Sequence, residues 1–238
     1  MCADKADRFV CENDHRRQCP GALSGAAREV ILEQKTIEKL LSAFSVNPGY
    51  LLKTGWLKSM QTGEAVDAEG NPIPWITYPA IDFLAGRVQS WMSVFEYGSG
   101  NSTLWWSSRV STLVSCEHDK EFYADFRGKV AANTTYLLRR AKGGSREYDQ
   151  EIIKYRDMFD IIVIDGRHRV ECAINCLAAL QTDGVIVWDN SDREEYRPGF
   201  DFLFKAGFKC LDFRGMGALA TRRWNTSIFY RPQNCLGI

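Results

Sequence analysis

Residues 93–103, Ser93-Val94-Phe95-Glu96-Tyr97-Gly98-Ser99-Gly100-Asn101-Ser102-Thr103, decide how the rest of the chain is read. Val94 and Phe95 open a short buried strand, Gly98 and Gly100 break it, and Asn101 to Val110 can continue as a helix. A glycine turn between strand and helix lets a ligand approach the backbone and presents free N–H groups at the helix start. Glu96 stands just before the first glycine. A carboxylate there disfavours a phosphate and favours a cationic ligand.

Working outward toward the C-terminus, strand and helix signals alternate, as in a parallel sheet covered on both faces. Strands are predicted over Thr112–Cys116, Thr135–Leu138, Phe159–Ile164, Val185–Trp188, Phe208–Phe213 and Thr226–Tyr230. Helices are predicted over Lys120–Val130, Asp149–Arg156, His168–Leu180 and Glu194–Ala206, the last interrupted by Pro198-Gly199. Asp183-Gly184 reads as the turn into the fifth strand. Too little chain separates the last two strands for a right-handed crossover, so they should pair antiparallel. The predicted fold is α/β, a Rossmann-like doubly wound sheet, mostly parallel with an antiparallel last strand, plus an N-terminal helical extension.

Toward the N-terminus, Met1–Ala27 is a polar arm, and Val30, Ile31, Ile37, Leu40, Leu41 and Phe44 recur at helical intervals over Arg28–Phe44. Asn47-Pro48-Gly49 ends that helix, Tyr50–Met60 is short and helical or irregular, and Gly70-Asn71-Pro72 marks a turn. Pro74 to Pro79 is expected to be extended, because a proline disfavours helix at the residue before it. Ala80–Trp91 supplies a further helix. The chain divides into a cap, residues 1–91, and a ligand-binding domain, residues 92–238.

Thirty basic residues balance 30 acidic ones, and no basic run suggests a nucleic-acid surface. No apolar run reaches membrane-spanning length and no signal peptide opens the sequence, so a reduced cytoplasmic setting is expected. Eight cysteines without zinc spacing read as free thiols. The oligomeric state is left open, a homodimer included.

Glu117 lies 19 residues after Gly98, where an acid at the end of a second strand binds ribose hydroxyls. That alone fits either a nicotinamide dinucleotide or S-adenosylmethionine. The dinucleotide fingerprint requires a third glycine where this chain has Thr103, and it would set Glu96 beside a pyrophosphate. The Glu96-x-Gly98-x-Gly100 pattern resembles the first motif of class I S-adenosylmethionine-dependent methyltransferases, although many members carry another glycine at Asn101 or Ser102. The resemblance implies cofactor contacts from Glu96, Tyr97, Gly98, Ser99, Gly100, Asn101, Ser102, Thr103, Glu117, His118, Asp165 and Gly166.

Asp165 and Asp189-Asn190 end the fourth and fifth strands, on the ligand-binding edge of an open sheet. They resemble the ligands of metal-dependent catechol and caffeoyl-coenzyme A O-methyltransferases. Ile164-Asp165-Gly166-Arg167-His168 resembles the I-D-G-x-H motif of sugar and macrolide O-methyltransferases. These resemblances imply Mg²⁺ or another divalent cation on Asp165, Asp189 and Asn190, with Asp165 and His168 as catalytic residues. Arg169, beside them in sequence, is a further catalytic candidate that could hold an acidic substrate, or else a solvated surface residue. His168 would take the proton of a metal-bound hydroxyl. The structural alternatives are a helix cap at Asp165 and a plain turn at Asp189-Asn190. Arg167 and the strap residues Trp75, Thr77 and Tyr78 are substrate candidates, or else surface and packing residues. The expected activity is methyl transfer to a small molecule, most simply at a hydroxyl. The alternatives are metal-independent N-, S- or carboxyl-methylation, and a non-catalytic cofactor-binding or scaffold protein of the same fold.

Overall fold

The computed structural model describes residues 49–238, all within one compact unit, Asn47–Ile238. The arm and the helix expected over Arg28–Phe44 lie outside the described residues.

Two short helices, α1 (Tyr50–Lys53) and α2 (Trp56–Thr62), are followed by α3 (Tyr78–Ala85). The alternating part is β1 (Ser93–Tyr97), α4 (Asn101–Ser107), β2 (Thr112–Glu117), α5 (Lys120–Phe126), β3 (Thr134–Leu138), α6 (Glu147–Gln150) and β4 (Phe159–Ile164). It continues through α7 (Arg169–Asn175), β5 (Leu180–Asp189), α8 (Arg197–Lys205), β6 (Lys209–Gly215) and β7 (Trp224–Tyr230). The seven strands form one sheet in the order β3-β2-β1-β4-β5-β7-β6. Neighbours from β3 to β5 are parallel, and β7 runs antiparallel to both β5 and β6. The fold is therefore the doubly wound sheet with an antiparallel last strand that the sequence order predicts. Among the described residues no helix is long and apolar enough to cross a membrane.

Every residue of β4 is buried, as a central parallel strand requires. Alternate side chains feed two cores. Val94, Leu113, Ile161, Val163, Val187 and Ile228 pack on one face with Tyr78, Leu84, Trp105 and Trp106. Phe95, Ile162, Ile164, Ile186, Trp188 and Phe229 pack on the other with Cys172, Ala173 and Leu203. Each such aliphatic or aromatic side chain contributes about 1.5–3 kcal/mol on burial. Cys116, Cys172 and Cys176 are buried free thiols, and Cys210 and Cys235 are free and half-buried.

Three local expectations are corrected. Tyr78 precedes a proline yet begins α3, with Pro79 in the first turn, where its missing N–H costs nothing. Pro198 likewise starts α8 rather than interrupting it, and Gly199 is buried where a Cβ would lie 2.5 Å from the Trp188 ring. Asp183-Gly184 is not the turn into β5. The strand already begins at Leu180, opposite Phe159, and the register slips before Val185 meets Ile161.

The described extension is built onto the sheet. Thr77 bridges to Gly217, the Tyr78 N–H donates to Met216 O at 2.7 Å, and Asn101 Nδ2 donates to Ala65 O at 2.8 Å. Residues 65–79 thus reach from the start of α4 to the β6–β7 connection.

Candidate active site at the carboxyl edge of the sheet

From β1 the chain moves outward through β2 and β3 on one side and returns to β4 and β5 on the other. The crevice of this sheet therefore opens where β1 and β4 meet. Gly98 sits there at φ 91°, its N–H donating to Cys116 O at 3.0 Å. A Cβ on Gly98 would lie 2.4 Å from Asp165 O, so only glycine fits between the ends of β2 and β4. Gly166 answers from the β4 side, where a Cβ would lie 1.8 Å from the Tyr148 hydroxyl.

Beneath the turn, Glu96 is fully buried. Its carboxyl accepts the hydroxyls of Ser102, Thr103 (2.6 Å) and Ser115 (2.7 Å). Burial raises its pKa to about 7; the three hydroxyls lower it less than burial lifts it, and Glu117 nearby raises it further. Thr103 also receives the Gly100 N–H at 3.1 Å, so the carboxyl holds the start of α4 in place.

At the end of β2, Glu117 is also buried but behaves oppositely. Oε1 accepts the N–H groups of His118 and Asp119, each at 2.7 Å, and Oε2 accepts the Ser99 hydroxyl at 2.6 Å and its N–H at 3.2 Å. Burial alone would raise its pKa, but these donors and the His118 ring hold it down at about 2. Tyr136 of β3 touches the Ser99 hydroxyl at 2.8 Å. The Arg167 side chain is exposed and lies 3.4 Å from His118 Nε2.

The β4 and β5 ends are joined by Arg169, whose side chain is 9 % exposed. Its Nη2 donates to Asp165 Oδ1 at 2.8 Å, Nε donates to Gly166 O at 3.0 Å, and Nη1 donates to Asp189 O. The Asp189 carboxyl faces elsewhere: Oδ1 accepts Trp224 Nε1 at 2.8 Å and Thr226 Oγ1 at 2.6 Å. Thr226 Oγ1 in turn accepts the Thr77 N–H at 3.1 Å, which ties the strap to the floor of the site. Burial raises Asp165 to about 6 despite Arg169, and burial together with Asp165 raises Asp189 to about 7. Asn190 has φ 51° and its Oδ1 accepts from Arg193 Nη2 at 3.0 Å. This donor set does not fit a divalent cation. The guanidinium already lies among the oxygens of Asp165, Gly166 and Asp189, and Asn190 is bonded to Arg193. Among the described residues no three Asp, Glu, His or Cys side chains converge as metal ligands.

His168 precedes α7 at φ 48°, half-buried, with Nδ1 3.3 Å from Asp149 Oδ1. Asp149 is itself buried and held by Arg146 and Asn175. The Tyr97 side chain leaves the turn for the opposite core, its hydroxyl donating to Asp149 O at 3.0 Å. In the strap, Thr77 and Tyr78 are buried, and Trp75 is 52 % exposed.

Ser115, Tyr136, Tyr148, Asp149, Trp224 and Thr226 complete the site and were not singled out from the sequence for it. Only Ser115 carried a signal, as a polar residue inside an apolar strand. The others reach the edge through strand register, in β3 and β7, and through the placement of α6.

No protein-family profile matches the sequence, and no curated protein matches it. The fold is similar to that of a methyltransferase from Geobacter sulfurreducens, at 15 % identity over 83 % of this chain and 97 % of that one, with a TM-score of 0.49. It is also similar to a precorrin-6y C5,15-methyltransferase from Geobacter metallireducens, at 16 % identity over 64 % of this chain and 87 % of the other, TM-score 0.49. A spermidine synthase from Thermotoga maritima aligns at 14 % identity over 65 % of this chain, TM-score 0.47. The chain spans about three fifths of the spermidine synthases it resembles, 61 % and 57 % of their lengths. At these identities the likeness is one of fold.

Proposed function

We propose that this protein is an enzyme that transfers a methyl group from S-adenosylmethionine to a small-molecule acceptor, most simply at a hydroxyl, without a divalent metal. The observation that carries the reading is electrostatic. Glu96, Asp165, Glu117 and Asp189 bring four carboxyl groups to the edge formed by β1, β4, β2 and β5, against one buried guanidinium, Arg169. A pyrophosphate beside those carboxyls would be repelled, whereas the sulfonium and ammonium of this donor would be attracted.

Bound S-adenosylmethionine supplies an electrophilic methyl group. The chain's own residues do the rest. Glu117 holds the ribose hydroxyls by exchanging the Ser99 hydroxyl for them. Glu96 acts through Ser102: that hydroxyl donates to the carboxyl and keeps its lone pairs for an ammonium. His168, oriented by Asp149, takes the acceptor's proton on Nε2. Trp75 offers an exposed ring on the strap beside the acceptor end.

Calorimetry with S-adenosylhomocysteine tests the donor, with one site expected. Transfer of labelled methyl to a panel of hydroxyl, amine, thiol and carboxyl acceptors, with and without EDTA, tests the acceptor and the metal. Failure to bind S-adenosylhomocysteine, or saturable NADH binding in its place, rejects the reading.

A further inference from the structure

We infer that Arg169 is a built-in cation standing where a divalent ion would bridge the β4 and β5 ends, and that removing its guanidinium uncovers a latent metal site. Three oxygens converge on it: the Asp165 carboxylate, Gly166 O and Asp189 O. A carboxylate with two backbone carbonyls is a hard-oxygen set of the kind that binds Mg²⁺ or Mn²⁺. Here each of the three accepts an N–H from one side chain, carried at the first residue of α7, four positions after Asp165.

Charge and space both exclude a second cation. The guanidinium stays protonated at any working pH and would repel an approaching dication. Its carbon also lies 5.6 Å from the Tyr196 ring centroid, so an aromatic ring lies on that side of it. The joining of Asp165 to the β5 backbone, which an ion would otherwise provide, is done by a side chain that cannot be chelated away. The inference concerns the chain's own donor set and stands apart from the identity of the methyl donor.

The test is Mn²⁺ binding by the full chain, read by the loss of the free-ion electron paramagnetic resonance signal and by calorimetry. Wild type should leave the ion free. Arg169→Ala should bind one Mn²⁺ at least about tenfold more tightly than wild type, and adding Asp165→Asn should cancel the gain. Arg169→Lys, which keeps the charge, should behave as wild type does. If Arg169→Ala does not fold, Arg169→Gln carries the same expectation. Stoichiometric Mn²⁺ binding by wild type that Asp165→Asn abolishes would overturn the inference. So would a folded Arg169→Ala or Arg169→Gln protein that binds no better than wild type. S-adenosylhomocysteine binding measured on the same samples reports separately on the proposed function.

Discussion

The two halves of the carboxyl edge neutralise their acids in different ways. At the β1–β2 half, Glu96 and Glu117 are surrounded by hydroxyls, backbone amides and the His118 ring; at the β4–β5 half, Asp165 is met by the Arg169 guanidinium. Within the first half the donors themselves differ. Three hydroxyls do not offset the burial of Glu96, which stays high at about 7, whereas the His118 ring, the Ser99 hydroxyl and backbone N–H groups together pull Glu117 to about 2. Hydroxyls can turn away or accept a proton in their turn; amides fixed in a turn cannot, so they stabilise only the anion. The lesson is that one edge keeps a ready anion at the end of β2, a buried acid of raised pKa beneath the glycine turn, and a locked ion pair between the ends of β4 and β5.

The largest expected effect breaks the locked half. Arg169→Ala leaves the partly buried Asp165 without its counter-ion and the carbonyls of Gly166 and Asp189 without their donor, and should cost about 3–5 kcal/mol in urea unfolding. Next comes Glu117. Its pKa falls from 4.5 to about 2 on folding, so its stabilisation is complete above pH 4.5 and is lost as pH drops toward 2. Glu117→Gln should remove roughly 3 kcal/mol of acid-limb stability in that window, with little remaining pH slope. Gly98→Ala places a Cβ against the backbone at positive φ and should cost about 2 kcal/mol while abolishing S-adenosylhomocysteine binding in calorimetry.

Glu96 sharpens the comparison from the other direction. Its pKa rises on folding, from 4.5 to about 7, so its contribution is full below 4.5 and is lost as pH rises through about 7. Ionising it near an ammonium should reverse that loss, so S-adenosylhomocysteine affinity should climb up to about tenfold between about pH 6 and 8. The same titration with Glu96→Gln should be flat. The smallest stability effect belongs to Trp75→Ala, within about 0.5 kcal/mol for an exposed ring. Its expected consequence is a higher KM for the acceptor, with donor binding unchanged.

Much of this was readable in the linear pattern. Five apolar residues among the six of Phe159–Ile164, broken only by Asp160, mark a central strand, and the short link between β6 and β7 requires an antiparallel return. Glu96, Gly98 and Glu117 could be located because strand–turn–helix spacing is local. Asp165 and Asp189 could be placed at the same edge, because adjacent strand ends must meet there. The donor set between them could not be read. Whether Asp165 meets an ion or an arginine depends on the rotamer of the residue that starts α7, four positions after it in sequence. Asp183-Gly184 and Pro198-Gly199 misled for a related reason. Turn residues have the same local preference whether the chain turns, bulges or begins a helix, and packing against Leu180 or Trp188 selects among these.

The sequence by itself determined the order of strands and helices, the glycine turn and the acids that end β1, β2, β4 and β5. Periodicity and backbone freedom are properties of neighbouring residues. Only the tertiary structure decided what each acid faces: hydroxyls from α4 and β2 on Glu96, amides on Glu117, a guanidinium on Asp165, an indole and a threonine on Asp189. The Asp189 partners lie 35 and 37 residues away, and even near neighbours such as Asp119 and Arg169 meet their acid only through the turn or rotamer that the fold selects. The charge state of a buried carboxyl depends on what is within about 3 Å of it.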